Sequence, residues 1–166
     1  MRTAMLLVPA LLLVACGSDS ESTESSGVVI GNARVVRVVD GDTLVVNVGG
    51  REERLRLIGI DTPESVKPDT PVECFGHEAT AFTESLLPDG TDIRLERDVE
   101  ARDPFDRLLA YAYRVDDGLF VNLEIIRQGY AQPLTIPPNV AHADEFVAAA
   151  RVAEADDVGL WAACTG

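Results

Sequence analysis

The sequence predicts an α+β domain: a closed barrel of five short strands carrying three helices. Three observations carry that expectation. From Val28 to Ile60 β-branched runs and, over residues 51–60, an apolar/polar alternation are separated by Gly-bearing turns, which reads as a three-strand meander. The period then lengthens to helical spacing after Cys74. Two further alternating stretches follow, before the last two helical segments.

Taken in order, residues 1–15 (MRTAMLLVPALLLVA) hold one basic residue and an apolar run too short to span a bilayer as an ordinary helix, which fits a secretory leader. Leu13-Val14-Ala15-Cys16 followed by Gly17 looks like a bacterial lipobox, with Cys16 the lipidated first residue of the mature chain. The alternative is a plain leader cleaved near Ala15, with Cys16 a bystander. Two or three acyl chains would hold the protein durably on a membrane, facing outside the cytoplasm. Residues 16–27 continue as a Ser/Asp/Glu-rich tether that cannot bury enough surface to offset its ordering entropy. Residues 28–166 are then the single folded domain.

Val28–Val39 is rich in β-branched residues and reads as the first strand. Asp40-Gly41-Asp42-Thr43 turns the chain into a second strand, Thr43–Val48, and Asn47-Val48-Gly49-Gly50 turns it again. Residues 51–60 form the third strand, with Leu55 and Leu57 on one face and Arg54, Arg56, Ile58 and Ile60 on the other. Residues 61–73 contain three prolines and read as a loop. Phe75, Ala79, Phe82 and Leu86 then mark a helix stopped by Pro88-Asp89-Gly90. Thr91–Arg97 and Arg107–Val115 are the fourth and fifth strands. Val121–Gln128 is a short helix, Pro133–Asn139 a proline-rich loop, and His142–Asp156 an alanine-rich amphipathic helix. A helix between the third and fourth strands and two after the fifth suit a five-stranded OB-type barrel.

Composition narrows the function. Net charge is −14, with 13 arginines and one lysine, and loss of Arg2 with the leader would make it −15. Phosphate contacts supply most of the affinity of a nucleic-acid binder, so this charge excludes a binder that works through a broad basic face. An enzyme needs turnover more than grip. Beyond Cys16 two cysteines remain, Cys74 and Cys164. An exported compartment permits a disulfide between them, closing a loop worth on the order of 4–5 kcal/mol in the chain-entropy account. Two free buried thiols are the alternative.

The chemistry-bearing residues cluster at two turns. Asp40 and Asp42 flank Gly41, while Asp61 and Glu64 follow the third strand. If the meander closes, Asp42 and Asp61 meet at one end of the sheet, and converging carboxylates require a cation or a shared proton. Hard oxygen ligands suit Ca²⁺. Each piece also has a plain reading: Asp-Gly-Asp occurs in ordinary turns, and Asp61-Thr62-Pro63-Glu64 has the pattern of a helix start. Arg56 and Arg107 shift the balance, because two guanidinium groups beside a metal and a free carboxylate make a phosphoryl-transfer site. His77 and His142 lack a nucleophile at useful spacing and read as structural or solvated, and Trp161 as a packing residue.

The ordered blocks V-D-G-D-T (39–43), R-L-I-G-I-D-T-P-E (56–64), C-F-G-H-E-A-T-A-F (74–82), F-D-R-L-L-A-Y (105–111) and V-N-L-E-I-I-R-Q-G-Y-A (121–131) closely resemble the staphylococcal nuclease (thermonuclease) family. The resemblance implies an OB barrel with three helices and a Ca²⁺-dependent endonuclease of low sequence preference, cutting DNA and RNA to 3′-phosphate ends. It implies Asp42, Asp61 and the Thr62 carbonyl as metal ligands, with Asp40 close by. Glu64 would orient or deprotonate water, and Arg56 and Arg107 would bind the phosphate. A monomer is expected. Two departures stand out. Pro133-Leu134-Thr135-Ile136 replaces a segment where tyrosines contact the nucleotide, and Asp106 stands where glycine is usual, free in principle to draw Arg107 away from phosphate. A non-catalytic OB-fold module that binds nucleic acid or protein at the cell surface is the competing reading, and an envelope structural lipoprotein is a third.

Overall fold

The computed structural model describes residues 28–66 and 71–164. The expected leader, the expected lipidation of Cys16 and the expected tether fall on residues 1–27, outside the described residues. The barrel consists of β1 (Val28–Asp40), β2 (Thr43–Val48), β3 (Arg51–Leu57), β5 (Asp92–Arg97) and β6 (Leu108–Arg114), closed in the order β1-β2-β3-β6-β5. β1 is long enough to pair with β5 along its first half and with β2 along its second, and register shifts along it curve the strand. β3 and β6 run parallel, and every other pair in the barrel is antiparallel. Three main helices flank the barrel: α1 (Gly76–Leu86), α2 (Val121–Arg127) and α3 (Ala143–Ala155), with a single turn, α4 (Leu160–Ala163), near the end. The OB-type α+β architecture is the one expected.

The third strand departs from expectation. It ends at Leu57, and a separate short strand, β4 (Gly59–Asp61), pairs with β7 (Gln132–Leu134), which runs into the start of the segment read as a proline-rich loop. Gly59 is the cause. Its φ of +81° lies in the left-handed region, and a Cβ there would sit 2.3 Å from Cε2 of Phe146 on α3. The kink cancels the alternation, so Ile58 and Ile60 do not share a face with Arg56. They join Leu55 and Leu57 in the core. β4 is thereby swung off the barrel and carries Asp61 at its tip.

Asn122 seals this break. Fully buried on α2, it donates through Nδ2 to the Ile58 carbonyl at 2.9 Å and accepts from the Ala112 N–H through Oδ1 at 2.9 Å. A strand that ends inside a core leaves backbone groups needing partners, and this amide supplies them. Tyr111, Phe120, His142 and Phe146 pack together beneath α3, which makes His142 a structural residue, while His77 is exposed. Cys74 and Cys164 are disulfide-bonded, their Cα atoms 5.9 Å apart.

Candidate active site

The turn between β1 and β2 and the tip of β4 meet at one end of the barrel, as the meander required. The Asp42 carboxylate is buried and fully engaged: Oδ1 accepts from the Thr43 hydroxyl at 3.0 Å, and Oδ2 accepts from the Thr62 N–H at 3.1 Å and the Thr62 hydroxyl at 3.2 Å. The Leu57 N–H donates to the Asp42 carbonyl at 2.9 Å and ties this turn to the end of β3. Asp42 and Asp61 do converge, and the cation between them belongs to the protein. Arg56 Nη2 lies 3.1 Å from Asp42 Oδ2 and 3.0 Å from Asp61 Oδ1. Arg56 Nη1 donates to the carbonyls of Leu57 and Ile60, the latter at 2.9 Å. The kink at Gly59 turns those carbonyls toward the guanidinium, whose side chain is 13% exposed.

Asp40 takes a different part. Its Oδ1 accepts from the Gly41 N–H at 2.9 Å, the Ser65 hydroxyl at 2.6 Å and the Thr80 hydroxyl at 3.1 Å. It therefore pins the loop after β4 to α1. Thr83, also on α1, donates to the Gly41 carbonyl at 2.7 Å. Ser65, Thr80 and Thr83 were not legible as site residues. The one signal, for Thr80 and Thr83 alone, is that small hydroxyl residues sit at i, i+3 spacing on the helix that follows the acidic loop.

Glu64 lies in that loop, between the pinned Ser65 and the metal-ligand candidates. No helix begins at Asp61-Thr62-Pro63-Glu64, so the capping reading is excluded. The Glu64 Oε1 accepts from the Val66 N–H at 3.1 Å. Partial burial, and behind it the negative charges of Asp40 and Asp42, push its carboxyl above the ordinary range. Burial likewise raises Asp61, with Arg56 opposing and Asp42, Glu73 and Asp40 adding to the rise. In both cases burial is the larger cause and the neighbouring carboxylates add to it.

Arg107 begins at the foot of β6. Its Nε donates to Asp103 Oδ2 at 2.6 Å and its backbone N–H to Asp103 Oδ1 at 2.9 Å. Asp103, not Asp106, is its acidic partner. Asp106 adopts φ +63°, a left-handed conformation that aspartate tolerates and glycine favours, and its side chain is 86% exposed beside Arg102, 3.4 Å away. The turn thus keeps its shape without glycine, and Asp106 leaves Arg107 alone. Among the described residues, neither η nitrogen of Arg107 makes a hydrogen bond, so its outer edge is free.

Among the described residues no three His, Cys, Asp or Glu side chains converge on one point as a self-sufficient metal site. The donor chemistry nevertheless fits a hard cation: two carboxylates, a main-chain carbonyl at Thr62 and open water positions suit the six to eight oxygen ligands of Ca²⁺. The side chain of Asp61 is 58% exposed, so water reaches that side.

A sequence model of the family described as staphylococcal nuclease homologue matches residues 54–163. The chain is 35% identical over 157 residues to a thermonuclease of Staphylococcus intermedius, covering 94% of this chain and 92% of that relative. The chain belongs to the staphylococcal nuclease family. A thermonuclease of Staphylococcus hyicus is 32% identical over 95% of this chain and 94% of its own. Endonuclease YncB of Bacillus subtilis is 33% identical over 78% of this chain and 61% of its own. The protein is a nuclease, a hydrolase of phosphodiester bonds with nucleic acid as substrate.

In this staphylococcal nuclease homologue a cleft of about 290 Å³ opens beside the two arginines. Arg56 and Arg107 line it, and Phe105, Leu134, Ile136 and Leu109 supply apolar walls. Phe105 is 80% exposed, with the Arg107 guanidinium carbon 5.7 Å from its ring centre. Ile136 is exposed as well. The wall that sequence comparison marked as lacking tyrosines is therefore aliphatic, with Phe105 the aromatic face.

Proposed function

We propose that this nuclease is Ca²⁺-dependent and non-specific, cutting DNA and RNA internally to leave 3′-phosphate ends. The observation that carries the reading is the meeting of Asp42, Asp61 and Arg56 at one end of the barrel. Glu64 stands on the adjoining loop, and Arg107 presents a free guanidinium edge across the shared cleft.

Asp42, Asp61 and the Thr62 carbonyl would hold the ion, with Asp40 behind them. When bound, Ca²⁺ supplies positive charge against the phosphoryl oxygens. Glu64 acts as the base or orienting group for water: a carboxylate with a raised pKa is nearer the operating pH and a better proton acceptor for that purpose. Arg107 meets the phosphate with its free η nitrogens, while Asp103 fixes the rotation of the guanidinium through Nε. Arg56 serves first to hold Asp42 and Asp61 together, and it meets phosphate with whatever edge those carboxylates leave. Low base preference is in keeping with a cleft walled largely by the apolar side chains of Phe105, Leu109, Leu134 and Ile136.

The same reading places the protein outside the cytoplasm as a monomer, anchored by lipid on Cys16 and held off the membrane by the tether of residues 16–27. Cys16→Ser should release it into the medium, and retention at the membrane would remove the anchor from the account.

Denatured DNA and RNA incubated with the purified chain, with Ca²⁺ or with a chelator, test the activity. Cleavage with Ca²⁺ alone, leaving 3′-phosphate ends, is expected. Binding without cleavage would favour the non-catalytic module, and chelator-resistant cleavage would remove the metal.

A further inference from the structure

We propose that Glu73 and the Cys74–Cys164 disulfide form a positioning clamp on Glu64. The proposal rests on the reading of Glu64 as the group that orients water. Glu64 lies in residues 62–66, which follow β4 and belong to no helix or strand, so no secondary structure of its own holds it. On the inner side, the next residue, Ser65, is fixed through its hydroxyl to Asp40 at 2.6 Å and to the Thr80 hydroxyl at 2.8 Å. On the outer side Glu73 grips the main chain of Glu64 itself. The Glu73 N–H donates to the Glu64 carbonyl at 2.9 Å, and Glu73 Oε2 accepts from the Glu64 N–H at 3.0 Å.

This reciprocal pair is exposed, so water competes for both bonds, and alone it would hold the loop weakly. The covalent link to the next residue changes that. Cys74 is joined to Cys164, which follows α4, and α4 is anchored by buried Leu160, whose N–H donates to the Gly129 carbonyl at 2.8 Å. The chain of contacts therefore runs from the helical body through the disulfide to Glu73 and on to Glu64. At the helix end of the clamp the Gly76 N–H donates to the Glu73 carbonyl at 3.0 Å. The Gly76 Cα lies so close that a Cβ would come within 2.7 Å of the Glu64 carbonyl oxygen. The segment 73–76 is closed down on the Glu64 backbone with no room for a larger residue.

Among the described residues the Glu64 side chain accepts from the Val66 N–H, two residues on in the same loop, and lies beside the carboxylate of Asp40, which also holds Ser65. The aim of Glu64 thus follows the backbone of this loop, and the clamp sets that backbone. A catalytic group displaced by about 1 Å can lose on the order of a hundredfold in rate, so loosening this clamp should appear in kcat and leave KM, which reads polymer binding, nearly unchanged.

The experiment compares the full oxidised chain with Glu73→Ala, Glu73→Gln and Cys74→Ser/Cys164→Ser, all assayed with Ca²⁺ well below their melting temperatures. Glu73→Ala should lower kcat by about ten- to a hundredfold at nearly constant KM. Glu73→Gln should restore most of it, because its amide oxygen still accepts the Glu64 N–H. Dithiothreitol should lower the wild-type kcat to that of the double cysteine variant and leave the double variant unmoved. A wild-type kcat in Glu73→Ala, or a Glu73→Gln as slow as Glu73→Ala, would overturn the clamp. So would a double cysteine variant that melts earlier yet keeps its kcat. Absence of cleavage by the oxidised wild type, or full activity in Glu64→Ala, would instead remove the underlying reading of Glu64.

Discussion

Asp103 and Arg107 are joined twice: Asp103 Oδ2 accepts from the Arg107 Nε at 2.6 Å, and Oδ1 accepts from the Arg107 backbone N–H at 2.9 Å. The first bond fixes the guanidinium and the second fixes the turn that carries it. Asp103→Ala should lower kcat by about tenfold or more, because an unaimed arginine stabilises charge poorly. Arg107→Ala should lose about 10²- to 10³-fold with little change in melting temperature. A Asp103→Ala variant with wild-type kcat would show that Arg107 aims itself.

The same pair sets an acid limit on stability. Burial works to raise the Asp103 carboxyl, but bonds from the Arg107 backbone and side chain and from the Phe105 N–H outweigh it and hold the group below 3.8. A carboxyl depressed in the folded state stabilises the fold above its unfolded value, and that contribution is lost as pH falls through the folded value. The melting temperatures of wild type and Asp103→Asn should therefore differ at pH 6 and converge as pH drops below about 4. A difference that is constant with pH would assign the effect to shape alone.

Asp61 and Glu64 carry the opposite sign. Both carboxyls are raised, first by burial, then by their acidic neighbours. A raised carboxyl costs stability once it is ionised, so its penalty grows as pH climbs from the unfolded value through the folded one. At neutral pH in chelator, Asp61→Asn and Glu64→Gln should each melt higher than wild type. Calorimetry with added Ca²⁺ should reverse the order for Asp61→Asn, because only wild type gains the full ion-binding energy. Equal or lower melting in chelator for both variants would show that ionising these two carboxyls costs the fold nothing.

How far the sequence reveals this arrangement depends on the residue. The barrel strands are visible because alternation and Gly-bearing turns are local signals, and Asp42, Asp61 and Glu64 are visible because acids at turns are conspicuous. The break at Ile58 is not, since it arises from Phe146, remote in sequence, pressing on Gly59. Arg56 was legible as a charge near the site. Its embrace of both carboxylates was not, because that needs the carbonyls the kink turns inward. Asp103 was hidden behind Asp106, whose φ only the folded turn discloses.

Asn122 tests whether that break is held from outside. Its two bonds satisfy the Ile58 carbonyl and the Ala112 N–H in a fully buried setting. Asn122→Ala leaves both groups unpaired, at about 1–3 kcal/mol each. Chemical denaturation should show a loss in that range or up to twice it, with kcat falling as β4 and Asp61 loosen. Asn122→Asp keeps the acceptor but removes the donor, so it should lie at least as low. A loss below about 0.5 kcal/mol, within the scatter of ordinary surface changes, would mean that Phe146 and Gly59 fix the kink unaided.

The cleft wall offers the last test, on grip and not on chemistry. Leu134 and Ile136 line it together with Phe105, and Ile136 is 61% exposed. An aliphatic side chain covers a base without stacking on it, whereas an aromatic ring contributes about 1–3 kcal/mol per base. Ile136→Tyr adds a ring at an exposed position, where its hydroxyl can stay in water and no core residue must move. The KM for single-stranded DNA should fall at least about fivefold, the equivalent of 1 kcal/mol, while kcat stays near wild type because Arg107 and Glu64 are untouched. The net charge of −14 makes this gain easy to see, since little long-range attraction draws the polymer in. An unchanged KM would show that bound bases turn away from this wall and rest on Phe105 alone. Phe105→Ala would then raise KM where Ile136→Ala does not.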